Sequence, residues 1–441
     1  MSAQSPVEPT EHALQTLGWS LATRVAFRFC FVYLGLFCLT TQIVTSLLSA
    51  SQGEVIPDPA TIWPTRGIIL WTAAHVFHTT ATLAGGGNSG SGDFLFGWVL
   101  AFSLLVLAIV STAIWSFADK GRENYTNLHK WFVLFVRFSL AGQLLNYGFG
   151  KAIPVQMPFP YLFKLVQPFG SFSPMGVLWS SIGAAPAYEV FTGCVEVFAG
   201  LLLIVPRTTA LGALISFAAM IEVFILNMTY DVPVKLFSFH LILLSLFLLA
   251  PDFKPIFDFF VLKRQASASP QAQLFRRERA NRFALAVQLF FGLWLIGMNV
   301  KFARDVWYEF GGGKPASALY GIWEVSQESI DEQVRPPLLT DSARPRRLIF
   351  DFPSRVAFQG MDDTFVGYGA SINVNDKTLL LTSRVGKKAI FSFKRARQNQ
   401  LALDGEMESH KIHMELRLVE PSKFVLVSRG FHWIQESPFN R

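Results

Sequence analysis

Seven long apolar stretches constrain this chain more than any other feature. They run roughly from 27 to 49, 94 to 117, 129 to 149, 186 to 205, 209 to 227, 235 to 250 and 283 to 302. About 20 mainly apolar residues, rising 1.5 Å each, cross a hydrocarbon core of about 30 Å. Inside that core every backbone N–H and C=O needs an internal partner, so each stretch predicts a membrane helix.

Charge then divides the chain. Of its 69 charged residues (38 basic and 31 acidic), 33 fall in residues 1–303 and 36 in the last 138. Those shares are about 11% and 26% of their lengths, against roughly 25% in an average soluble domain. A membrane part therefore precedes a soluble part. The net charge of +7 splits into +5 (19 basic, 14 acidic) and +2 (19 basic, 17 acidic). Neither part has the sustained basic stripe with stacking aromatics that nucleic-acid binding needs, so lipid, not nucleic acid, is the expected partner. Cys30, Cys38 and Cys194 all lie in apolar runs without a CxxC spacing, which argues against disulfide, zinc or thiol chemistry.

The first stretch is too long for a signal-peptide core, and Met1–Ser20 contains no Lys or Arg, so it reads as an uncleaved anchor after a cytoplasmic segment 1–22. Ser49, Ala50 and Ser51 mimic a cleavage site. A further apolar run, 67–84, is flanked by Pro64 and the hinge Gly85, Gly86, Gly87, and predicts a helix lying on the membrane or bundle. With the N-terminus inside, the inner loops hold Lys120, Arg122 and Lys130, then Arg207, then Lys254, Lys263, Arg264, Arg276, Arg277, Arg279 and Arg282. The first outer loop holds only Arg66. Positive residues stay inside during insertion, so an odd number of spans places the C-terminal part outside a cell membrane crossed several times.

After the transmembrane domain, 23–303, residues 304–346 have the Gly and Pro content of a linker, with Gly311, Gly312, Gly313, Pro336, Pro337 and Pro345. From 347 to 441 apolar residues alternate: Leu348, Phe350, Phe352; Phe365, Tyr368; Ile372, Val374; then 378–382, 389–393, 401–403, 412–418 and 424–427. Period two with turn residues between runs predicts about seven antiparallel strands in a small sandwich or barrel. The closing run Arg429 to Glu436 holds Phe431, His432 and Trp433. It predicts a final edge strand with buried aromatics, the other reading being a docking strip. His410 and His413 read as solvated.

Ionisable groups in the apolar stretches are where chemistry is to be sought, because a charge at the bilayer centre costs at least about 2.5 kcal/mol. The third stretch carries Arg137, Asn146 and Tyr147 and ends at Lys151. The fourth carries Glu189 and Glu196, the fifth Glu222, and the sixth Lys235 and His240. Arg137 and Lys151 are nearly four turns apart, and Glu189 and Glu196 nearly two, so each pair shares a helix face. One reading pairs Arg137 with Glu196, and Lys151 or Lys235 with Glu189, as structural ion pairs. The other makes the same residues a ligand site, with Glu196, Glu189 and Arg137 as catalytic candidates. His240 is expected to donate a hydrogen bond between helices, and no metal site is expected. His75 and His78, three apart, offer only a weak haem motif. The segment holding Pro154, Pro158, Pro160, Pro168 and Pro174 reads as re-entrant or as a cap on the bundle. Gly90 to Asp93 read as an N-cap for the second span.

Residues 131–250 resemble the DoxX-like family of four-helix membrane proteins. The shared features are Arg137; Tyr147, Gly148 and Lys151; Glu196, Gly200 and Leu201 to Leu203; and Arg207. The stretch Tyr230 to Lys235 resembles a longer subgroup carrying a β domain that ends in Arg429 to Trp433. The helix layout is also distantly similar to the vitamin K carboxylase family. The resemblance implies a membrane-embedded pocket more than a reaction: many members of the DoxX-like family have no assigned activity, and some look like subunits of quinone-linked oxidoreductases, with quinone as the cofactor. In that reading Glu196 and Glu189 carry protons, and Arg137 and Lys151 balance developing negative charge. Against it stands the lack of any flavin, haem or iron–sulfur motif. The alternative is a non-enzymatic anchor or assembly protein whose outer β domain binds a protein partner. A transporter is disfavoured because no inverted repeat is visible.

Overall fold

The computed structural model describes residues 18–49, 57–81, 92–265 and 273–440. Its helices are α1 Leu21–Thr40, α2 Gln42–Leu48, α3 Thr65–His75, α4 Leu95–Ala118, α5 Thr126–Ala152, α6 Leu162–Val166, α7 Pro174–Gly183, α8 Pro186–Ile204, α9 Thr209–Thr229, α10 Lys235–Leu249, α11 Phe253–Phe260, α12 Glu278–Glu309 and α13 Val425–Ser428. Among the described residues seven helical segments are long and apolar enough to cross a membrane, one for each stretch read from the sequence. The protein is a multi-pass integral membrane protein with a C-terminal β domain.

Contacts divide the chain into a helical unit, 1–152 with 191–303, and a second unit, 153–190 with 304–441. The helical unit buries Phe37, Phe96, Leu140, Leu144, Leu203 and Phe237, while α4 and α12 turn Leu107, Ile109, Phe290 and Leu293 outward. Such outward faces are what lipid tails solvate.

Polar contacts help knit the helices together. Arg28 of α1 donates to Tyr125 Oη (2.7 Å) and Ser116 Oγ (2.8 Å). Ser216 and Ser245 join α9 to α10 at 2.9 Å, and Asn227 reaches Ser238 at 3.0 Å. The first stretch breaks at Thr41, where the Thr40 and Thr41 hydroxyls donate back to Leu36 and Phe37 carbonyls. Such back-bonding gives the backbone an alternative to the helix ladder. Helix α3 has 11 residues, about 16 Å at the standard rise, too short to cross a bilayer. The Gly85 to Gly87 hinge lies outside the described residues.

The second unit is built on strands β1 Gly321–Ile330, β2 Gln333–Val334, β3 Pro345–Phe352, β4 Arg355–Gly360, β5 Phe365–Asn373, β6 Thr378–Thr382, β7 Lys388–Arg397, β8 Gln400–Met407 and β9 His410–Val419. All are antiparallel, and β9 pairs back onto β1, with Trp323 opposite both Leu348 and Leu418. The result is an eight-stranded barrel with β2 as a hairpin extension of β1. Among the described residues, closure of β9 on β1 leaves the short β2 as the strand with an unpaired edge. Trp323, Leu348, Phe350, Leu379, Phe391 and Leu416 fill the interior, and the Trp323 indole donates to Leu319 O at 2.8 Å.

Three readings of this unit are corrected. The stretch 304–346 is not a plain linker, because it contains β1, whose alternation is broken by a bulge between Val325 and Gln327. Residues 424–427 form part of a helical turn instead of a strand, since β9 already closes the barrel on β1. The Arg429 to Glu436 run is not a buried edge: Phe431, Trp433 and Ile434 are 78%, 91% and 80% exposed.

The Pro-rich segment after α5 is likewise not re-entrant. It belongs to the barrel unit, where Leu162 packs on Ile322 and Ile349, the outward neighbours of Trp323 and Leu348. Asp351 Oδ2 accepts from Leu162 N (2.8 Å), and Gln359 donates to Val166 O (3.2 Å). That cover is why β1 and β3 are apolar on both faces at this point, where period-two patterning fails.

Candidate functional site

Within the helical unit, α5 and α8 run antiparallel and unusually close. A Cβ on Gly148 would lie 2.8 Å from Val197 N, and one on Gly193 would lie 2.7 Å from Gly148 O and closer still to Ala152 N. Gly200 sits against Leu145 and Ala141 in the same way. Small residues at this spacing let two backbones touch where lipid provides no hydrophobic drive to hold helices together.

That proximity brings Lys151 to Glu196, whose side chains form an ion pair only 9% and 3% exposed. The expected Arg137–Glu196 pair does not form. Arg137 lies nearly four turns earlier on α5 and clamps the far end of α8, donating to Leu203 O (2.8 Å), Ile204 O (2.9 Å) and Gln288 Oε1 of α12 (3.0 Å). A helix C-terminus presents unpaired carbonyls and partial negative charge, and a guanidinium satisfies both. Arg137 thus clamps the end of α8 to α5 and α12.

A row of polar side chains at every fourth position leads along α5 to the ion pair: Ser139, Gln143, Tyr147 and Lys151. Such a row drifts about 40° around the helix per step. Its middle therefore faces α2 and its end faces α8. Gln143 donates to Ser46 Oγ, and Gln42 donates to Tyr147 Oη at 3.1 Å. Asn146 sits half-buried beside this row. His240 lies between α10 and α1, stacked on Phe37 at a centroid distance of 3.7 Å. Its Nδ1 donates to Leu236 O (2.7 Å), so in the neutral ring Nε2 accepts from Tyr33 Oη (2.8 Å). The bond between helices is therefore one that His240 accepts, where the sequence suggested one that it donates.

The remaining candidates lie elsewhere. Glu189, in the first turn of α8, accepts from Met157 N at 2.9 Å and ties that turn to the loop after α5. Lys235, expected opposite Glu189, pairs with Asp231 (2.8 Å) and Asp93 (3.5 Å). Asp93 is an N-cap, but for α10, accepting from Lys235 N and Leu236 N at 3.0 Å each, instead of for the helix that follows it. Glu222 is exposed on the outer face of α9, not within the bundle. His410 and His413 each meet an aspartate, Asp331 and Asp404.

Sequence reasoning missed Tyr33, Gln42 and Ser46. The signal was present: Thr41, Gln42, Thr45 and Ser46 recur at helical spacing in an otherwise apolar run. The arrangement sets an ammonium against a carboxylate, so the pair carries no net charge, and it offers hydrogen-bond donors from Lys151 and Tyr147.

No protein-family model matches the chain, and no solved structure matches it. An 84-residue stretch is 33% identical to the uncharacterized protein YwoB of Bacillus subtilis (strain 168), covering 19% of this chain. The chain spans about half, 54%, of that curated relative's length.

Proposed function

We propose that the protein is a DoxX-like membrane subunit whose bundle holds a quinone head group along the polar row of α5, in the service of a membrane oxidoreductase. The observation that carries this reading is the buried Lys151–Glu196 pair joined to that row. The residues fit such a group. Among the described residues Gln42 Oε1, Gln143 Oε1 and Glu196 Oε2 are buried acceptors without a hydrogen-bond partner, each worth about 1–3 kcal/mol to satisfy. A bound quinone supplies two-electron, two-proton chemistry. Lys151 and Tyr147 would hold its oxygens, and Glu196 would take up or give a proton at its free Oε2. Glu189, already bonded to Met157 N, is a helix-end anchor in this scheme. The basic inner loops support an inside N-terminus and an extracytoplasmic barrel in the cell membrane.

The test is mass spectrometry of lipid extracted from the gently purified full chain and from the double variant Lys151→Met, Glu196→Met, chosen to keep the bundle packed. A stoichiometric quinone in the parent and none in the variant is expected. Equal quinone in both, or ordinary phospholipid alone in both, overturns the proposal.

The exposed aromatic tail favours a second reading, in which the bundle is an anchor and Phe431, Trp433 and Ile434 seat a protein partner. Cross-linking in intact envelopes that is unchanged by Phe431→Ala with Trp433→Ala would exclude that role for the tail.

A further inference from the structure

A cavity of about 350 Å³ opens within the barrel unit, between the Pro-rich segment, the loop after α12 and the start of the C-terminal tail. Its size lies in the range of small-molecule sites. Phe159, Leu165, Phe310 and Val427 give it apolar walls. Walls of this kind favour molecules of low water solubility.

The charged groups of this cavity are already matched to each other. Lys314 Nζ lies 3.0 Å from Asp351 Oδ1, with the side chains 15% and 8% exposed. The same ammonium sits 4.4 Å from the Tyr161 ring centre and 4.2 Å from that of Phe352. Two aromatic faces and a carboxylate form a cation cage, which the chain's own lysine fills. A cationic head group would find that cage occupied, and an anionic one would meet the Asp351 carboxylate. Asp351 Oδ2 is taken by Leu162 N (2.8 Å), and the Tyr161 hydroxyl donates to Phe310 O (3.2 Å).

Tyr320 remains. Its phenol lines the cavity and has no side-chain hydrogen bond among the described residues. Burial first, and then the charge of Asp351, push its pKa up, which keeps it a protonated donor through neutral pH.

We propose that this cavity binds an uncharged amphipathic molecule, an apolar body ending in a carbonyl oxygen that accepts from Tyr320. The site does not depend on the bundle reading. Its ligand chemistry is common to an acyl ester and to a ring ketone, and the test separates them.

Ala316 lines the cavity and carries the reporter. In the full chain, with Cys30, Cys38 and Cys194 replaced by Ala, the variant Ala316→Cys is reconstituted in nanodiscs and labelled with a water-soluble maleimide. The probes are 1-tetralone, a ring ketone that does not react with thiols, monodecanoylglycerol, decanoate and decyltrimethylammonium. One or both neutral probes should slow labelling about five-fold at about four times their dissociation constant, by simple occupancy. Adding Tyr320→Phe should reduce that protection below about two-fold at the same concentration. Leu165→Trp, which fills the cavity, should slow labelling with no probe present. Protection by 1-tetralone alone points to a ring, and by the glyceride alone to an acyl ester; both support the site. No protection by either neutral probe, or equal protection by decanoate or the ammonium, overturns it.

Discussion

Removing one member of the Lys151–Glu196 pair should cost far more than removing both. Both side chains are buried, so Lys151→Met leaves the Glu196 carboxylate uncompensated, and Glu196→Met leaves the ammonium. Breaking a buried pair from one side costs about 3–5 kcal/mol, while replacing both partners with apolar groups of similar volume is neutral or stabilising by about 1–4 kcal/mol. At about 2–4 °C per kcal/mol, either single variant should melt roughly 6–20 °C lower. The double variant should return to within a few degrees of the parent. The assay is a double-mutant cycle on the full chain in nanodiscs, read by thermal unfolding. Additive losses in the double variant would refute the reasoning, because they would mean that the two charges do not compensate each other. The same variant decides the functional question: it keeps the bundle but lacks the groups that would hold a quinone.

Arg137→Ala should cost about 2–6 kcal/mol, since it strands the Leu203 and Ile204 carbonyls at about 1–3 kcal/mol each; a loss under about 0.5 kcal/mol in the same assay would count against the clamp. Gly193→Val should abolish a monodisperse folded product, because its side chain would occupy the space of the Ala152 backbone, and size-exclusion chromatography reads this directly. Glu328 in β1 has its pKa raised by burial, which outweighs the lowering attraction of Arg335 and Arg344. Its folded-state value therefore lies above the unfolded one, so its favourable contribution is full below about pH 4.5 and is lost as pH rises through the folded value. Glu328→Gln should remove that downward slope in barrel melting followed by near-ultraviolet circular dichroism, and an unchanged slope would assign it to another group. For orientation, Ser371→Cys should label from outside intact cells with an impermeant reagent, while Ser267→Cys should not; the reverse result would invert the topology.

The membrane part was legible because its physics is one-dimensional. A span must be about 20 apolar residues long whatever surrounds it, and Lys and Arg placement biases orientation without reference to the fold. Strand alternation was legible from Leu348 onward for a similar reason: one face of a barrel wall is core and the other is usually wet. The alternation failed at Ile322 and Ile349, where both faces are covered, and the bulge after Val325 hid the first strand. The tail aromatics misled because composition cannot say that β9 has already closed the barrel and left them no edge to join.

By itself, then, the sequence determined seven spans, a β domain after them, and the set of polar residues that a bilayer would force to find partners. Only the tertiary structure decided who those partners are. Lys151, and not Arg137, meets Glu196 because Gly148 and Gly193 let α5 and α8 touch at that level, while Arg137 falls opposite the open carbonyls at the end of α8. Asp93 caps a helix 142 positions away for the same reason. Helical periodicity fixes which residues share a face, but the depth and register at which two faces meet depend on the small side chains between them, and that is settled only when the helices pack.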